Sequence, residues 1–161
     1  MSSHRELLDA LTSRLKDLRK NYTELLALET SSGLLIKKGE YADLEPLNLK
    51  KEALRKSSDE AMAAVRAAHE NIKSRLSVKN AFLKDLPALM SLDGVEFLKS
   101  LESVRELGES LKKANAANVD LIDRSRRAAN NDLQNIKAGK KIIDKYKLRK
   151  EQAARYIDKL K

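Results

Sequence analysis

The chain has 161 residues, enough for one domain with a real core, and 35% of them are charged while only 4% are aromatic. With no Cys and no Trp, disulfides and thiolate metal sites are excluded. The formal charge of +9 is uneven: from Lys137 onward ten basic residues face three acids, leaving that segment at +7 and the remainder near neutral.

Five Gly and two Pro in a background rich in Ala, Glu, Lys, Leu and Arg predict long helices. The first should open at Ser3, where "SHRE" has the spacing of a capping box with Glu6 reaching back. Leu8, Leu11, Leu15, Leu18, Tyr22 and Leu25 then recur at threes and fours, as in a heptad seam. The pattern loosens at "ETSSGLLIKKGE". Gly39 is placed to stop the helix, with Lys37 and Lys38 near its negative end.

A second helix is expected from Tyr41 to Ser77, with Pro46 in its first turn, where a missing N–H does no harm. Leu44, Leu47, Leu54, Ala61, Val65, Ala68 and Ile72 share one stripe, widened by Met62 and Leu76. "VKNAFLKDLPALMSLDG" reads as a connector, with room for a short helix from Asn80 that Pro87 disturbs and that ends before Gly94. Asp93 and Glu96 repeat the capping spacing and open a third helix, expected over Val95–Lys137. Its buried side should carry Leu98, Leu101, Val104, Leu107, Leu111, Leu121, Ile122, Leu133 and Ile136. Gly139 suggests a break before a fourth, basic amphipathic helix over Lys140–Leu160, with Ile142, Ile143, Tyr146, Ala153, Tyr156, Ile157 and Leu160 on its apolar side.

The expected fold is therefore all-α: an elongated antiparallel bundle or segmented coiled coil of three long helices plus a shorter C-terminal one. We expect a single domain over residues 1–161, with 138–161 as a basic segment that has its own partner. No run of roughly 18 apolar residues suggests a membrane span. Acids and Arg14 interrupt the N-terminal stretch, so a secretory leader is not expected.

Catalytic motifs are missing from the sequence. "HENIK" at His69 starts like the H-E-x-x-H zinc pattern, but Lys73 stands where the second His belongs. A His at the edge of a helix seam is the better reading. No phosphate loop, nucleophile elbow or dinucleotide fingerprint is present. We expect no enzyme, metal or cofactor. Clustered Lys and Arg suit nucleic acid or an anionic surface. However, Tyr146 and Tyr156, the aromatics of the basic segment, sit on its apolar stripe. They fit packing as well as recognition.

Asn115 and Asn118 interrupt the apolar stripe of the third helix. A buried Asn can fix helix register at some cost in stability, and the flanking Leu111, Leu121 and Ile122 favour a place inside the bundle. Two stretches carry a family likeness: "LLALETSSGLLIKKGEYADLEPLNLKKEAL" and "LGESLKKANAANVDLIDRSRRAANNDLQNIK". With Leu25, Leu28, Glu29, Gly39, Glu40, Leu44, Lys51 and Leu54 in the first, and Asn115, Asn118, Leu121 and Ile122 in the second, the chain resembles the FlgN family of flagellar type III export chaperones. One departure is the helix-forming "KLRKEQAAR" after Tyr146, where the family often has a glycine-containing flexible stretch.

The resemblance implies a cytoplasmic chaperone that binds the hook-associated proteins FlgK and FlgL, prevents their premature assembly and delivers them to the export gate. It implies binding near the C-terminus, where Ile142, Ile143, Tyr146, Tyr156, Ile157 and Leu160 form the candidate stripe. The alternatives are a basic helical module for nucleic acid or an anionic surface, and a coiled-coil adaptor.

Overall fold

Helix α1 runs His4–Lys38, and the capping box that starts it is closed in both directions. The Glu6 N–H donates to Ser3 Oγ at 3.2 Å, and the Ser3 N–H donates to Glu6 Oε2 at 2.8 Å. The computed structural model describes the backbone of residues 3–158 and, Tyr146 excepted, the side chains as far as Leu148. Among these residues there are only helices, turns and loops, and no strand. No described helix is long and apolar enough to cross a membrane.

The heptad spacing of α1 becomes a buried stripe: Leu8, Leu11, Leu15, Leu18 and Leu25 are all inside, and Tyr22 is half-buried. The helix persists through the "ETSSG" stretch, where Thr30 and Ser31 turn their hydroxyls to the carbonyls of Leu26 and Ala27. Those bonds satisfy the hydroxyls within the helix instead of ending it. Gly39 then takes the left-handed conformation (φ 76°), and the Glu40 N–H closes back on the Leu35 carbonyl.

After a 3-10 turn at Tyr41–Asp43, α2 spans Leu44–Arg75 with Pro46 in its first turn. It lies antiparallel on α1, since Asn21 meets Ser57 and Glu29 meets Lys51. Lys51, Ser58, Val65 and Ile72 are its buried residues, each seven after the last. That interval keeps one edge of a helix on a neighbouring helix.

The connector differs in detail from the sequence expectation. Its helical part starts later than Asn80: a 3-10 turn at Leu83–Asp85 leads into the short α3, Leu86–Leu89. Pro87 sits in the first turn of α3, where it initiates rather than disturbs. Leu86 and Met90 plug the end of the core. Gly94 is needed here, because a Cβ would fall 2.3 Å from the Pro87 ring.

Asp93 caps the next helix by accepting from the Val95 N–H. Glu96 pairs instead with Lys16 of α1. The hydrogen bond from Lys16 holds the Glu96 carboxyl below its usual range. Helix α4 runs Val95–Asp158 without interruption, so Gly139 does not break it and the expected third and fourth helices are one. A single interior Gly costs a helix only about 1 kcal/mol relative to Ala, too little to stop one flanked by Ala138 and Lys140.

The chain divides into two compact units, Met1–Val119 and Asp120–Lys161. In the first, α4 runs parallel to α1, as Lys16–Glu96 at one end and Glu29–Asn118 further along require. The result is an up-down-up bundle whose core joins Leu8, Leu11, Leu15 and Leu18 to Val65, Ile72, Leu86, Phe97 and Val104. Leu98 was expected inside but is exposed; Phe97 takes the buried position beside it. In the second unit, Ile122, Leu133 and Ile136, also expected inside, are exposed, because one helix has no partner face within its own unit.

Helices α2 and α3 both stop on a serine in the left-handed region, Ser77 and Ser91, each at φ 55°. The Val78 and Leu92 N–H groups close back on the Lys73 and Pro87 carbonyls. Left-handed backbone favours Gly, so Ser77→Gly and Ser91→Gly should each stabilise the protein by about 0.5–1 kcal/mol in chemical denaturation. Leu15→Ala should cost about 2–5 kcal/mol, and Val65→Ala an amount at or below the low end of that range. No loss in either variant would contradict the seam.

Candidate functional site

Two places in the molecule stand apart from ordinary helix packing. The first is a charged node inside the bundle. Glu29 of α1 is only 3% exposed, an extreme position for a carboxylate, so its charge must be met locally. Lys51 of α2, also buried, places Nζ 3.3 Å from Glu29 Oε2 and donates to Ser32 Oγ at 3.0 Å. Arg55, one turn further along α2, donates to Glu29 Oε1 at 2.9 Å while half its side chain stays in solvent. Asn118 of α4 completes the set. Its Nδ2 donates to the Glu29 backbone carbonyl at 2.8 Å and to Glu29 Oε2 at 2.9 Å. Among the described residues, no buried side-chain nitrogen or oxygen lacks a partner.

Each helix places its share for a local reason. Glu29 follows Leu25 by four and precedes Ile36 by seven, so it falls on the α1 seam. Lys51 begins the seven-residue series of α2. Asn118 follows Ala114 by four on the half-buried stripe of α4. Gly33 lets α4 come close: a Cβ there would stand 2.7 Å from Asn118 Oδ1.

Of the two amides, only Asn118 is internal. Asn115 is exposed, a correction to the expectation that both lie inside. One residue beyond Ala114 turns its side chain by about 100° around the helix, out of the stripe. It lines an open cleft of about 430 Å³ with Tyr22, Arg55, Asp59 and Lys112. Leu121 is half-buried and Ile122 exposed, so the four do not form one buried group.

The second place is the basic stretch of α4 beyond residue 119. From 122 to 145, only Ser125 and Gly139 are even half-buried. Ile142 and Ile143 are 56% and 57% exposed, as a docking stripe needs. Tyr146, Tyr156 and Ile157 belong to the same helix, but their side chains lie outside the described residues, and Leu160 lies outside them altogether.

Among the described residues, no three His, Cys, Asp or Glu side chains converge in a way that could hold a metal ion. His69 is half-buried and its Nε2 lies 3.0 Å from the Ala81 carbonyl, tying α2 to the connector. Comparison with family models, with curated proteins and with solved structures finds no match to this chain.

The node does bring together Glu29, Lys51 and Asn118, three residues on which the family resemblance rests. Ser32 and Arg55 were missed by the sequence reading. The signal for Ser32 was its place four before Ile36. For Arg55 it was the four-residue step from Lys51 on one helix face.

Removing one member of a buried ion pair strands the other. Lys51→Leu should therefore cost about 3–5 kcal/mol in denaturant unfolding, and Glu29→Leu with Lys51→Leu should cost less than the single change. Gly33→Ala should cost about 1–3 kcal/mol by forcing Asn118 aside. Additive losses in the double variant would mean that Glu29 and Lys51 are not coupled.

Proposed function

We propose that this chain is a flagellar export chaperone of the FlgN type. In this reading it acts in the cytoplasm, covers the helical ends of the hook-associated proteins FlgK and FlgL, and passes them to the export gate. It performs no catalysis. The observation that carries the reading is the uncovered apolar side of α4, with Ile142 and Ile143 in solvent on a helix that has no packing partner in its own unit.

The chemistry is that of a helix laid against another helix. An amphipathic helix cut from its own assembly exposes a stripe that self-associates, and a second amphipathic helix hides it. The resemblance at Glu29, Lys51 and Asn118 supports the same reading. Those residues fix the relative register of three helices, which a family can share while its binding surface varies.

Deletion of 140–161 tests the assignment, because the core of the first unit lies wholly before residue 120. The shortened protein should remain helical by circular dichroism and lose binding to FlgK and FlgL in titration calorimetry. Tyr146→Ala in the full chain should weaken that binding by about 1–3 kcal/mol, as for an interface anchor. Undiminished binding after the deletion would remove the tail from the function.

A further inference from the structure

Isoleucines and lysines are interleaved in the second unit with a fixed offset. Ile136 and Ile143 stand seven apart, and Lys140 and Lys147 each follow one of them by four. Four residues along a helix is about 40° around it, so each lysine stands beside its isoleucine on one face. All four side chains are exposed. Lys137, Lys141 and Lys145 add to the same stretch, against Asp144 alone between residues 133 and 148. Among the described residues, the ion pairs run from Lys16 to Arg105, and none involves these lysines.

A polyanion such as DNA would answer the lysines and leave the isoleucines in water. A second copy would cover the isoleucines but bring five lysines and one aspartate on each chain against the same set, a like-charge approach. A helix with an apolar stripe and acidic flanks answers both. We infer that the partner of this segment is an amphipathic helix whose acidic residues, seven apart, face Lys140 and Lys147. The inference rests on the chaperone reading for the site's role and adds the chemistry by which the site chooses among helices. The isoleucine stripe supplies most of the holding, and the flanking charges reject helices of the wrong sign.

Two designed three-heptad peptides test it on the full-length protein. Both carry Leu and Ile in the core positions; one has Glu at all flanking positions and the other Lys. The wild-type chain should prefer the Glu peptide by roughly tenfold or more at low salt, with the preference shrinking as salt rises. The K140E/K147E variant, with unchanged circular dichroism, should reverse it. Ile136→Ser with Ile143→Ser should abolish binding of both peptides.

Equal binding of the two peptides, or no reversal, would overturn the inference. So would sedimentation of the wild type as a dimer that the Ile→Ser pair dissociates, or duplex-DNA binding that the Ile→Ser pair leaves intact. FlgK and FlgL are titrated in parallel. Their binding unaltered by K140E/K147E sinks the acidic-partner inference and leaves the chaperone reading. Peptide discrimination without any binding of FlgK or FlgL does the opposite.

Discussion

Glu29 is the constraint around which the first unit is arranged. A carboxylate 3% exposed is tolerable only with its hydrogen bonds complete, and the three long helices each supply part of the answer. α2 brings two cations and α4 brings an amide that reads both the side chain and the main chain of α1. Leucine seams alone tolerate sliding by a turn, since one Leu replaces another. A single acid with donors fixed in three-dimensional positions does not. The node adds little net stability over a well-packed apolar core. What it contributes is one register in preference to its neighbours.

The core is graded accordingly. Toward the connector, α1 offers Leu8, Leu11, Leu15 and Leu18, α2 offers Val65 and Ile72, and α4 offers Phe97 and Val104. Toward the α1–α2 turn, the same seams carry Glu29 and Ser32, Lys51 and Ser58, and Asn118. Burial of the apolar half supplies the free energy, and the polar half selects the arrangement. Gly33 serves this division, since Asn118 reaches the Glu29 carbonyl only where α1 carries no Cβ.

Local features were legible because they obey local rules. The capping box at Ser3, the left-handed stop at Gly39 and Pro46 in a first turn depend on a few adjacent residues. The α1 seam was legible because leucines repeat. The buried charges were obscured by their own chemistry, as Glu and Lys usually mark a solvated face. The heptad intervals Lys51–Ser58–Val65–Ile72 and Glu29–Ile36 were present, and would have found them had spacing been weighed above polarity. Of the candidate binding stripe, the exposure of Ile142 and Ile143 was legible from their basic surroundings. The exposure of Leu133 and Ile136 was not, because an amphipathic pattern says that a face wants cover, not that the same chain provides it.

The continuity of α4 follows from the cost of starting a helix. A free segment from 120 on would have to nucleate by itself, and Asn130, Asn131, Asp132, Asn135 and Gly139 are poor helix formers. Joined to a stretch already held by Phe97, Val104 and Asn118, it needs only propagation, for which one bond is gained per residue fixed. A weak interior can then be crossed, and Gly139 becomes a local loss rather than an end. Such a helix is ordered before a partner arrives, so binding need not supply the free energy of folding it. Ile136, Ile142 and Ile143 remain uncovered in water, and that unrealised burial is the free energy available to a partner helix.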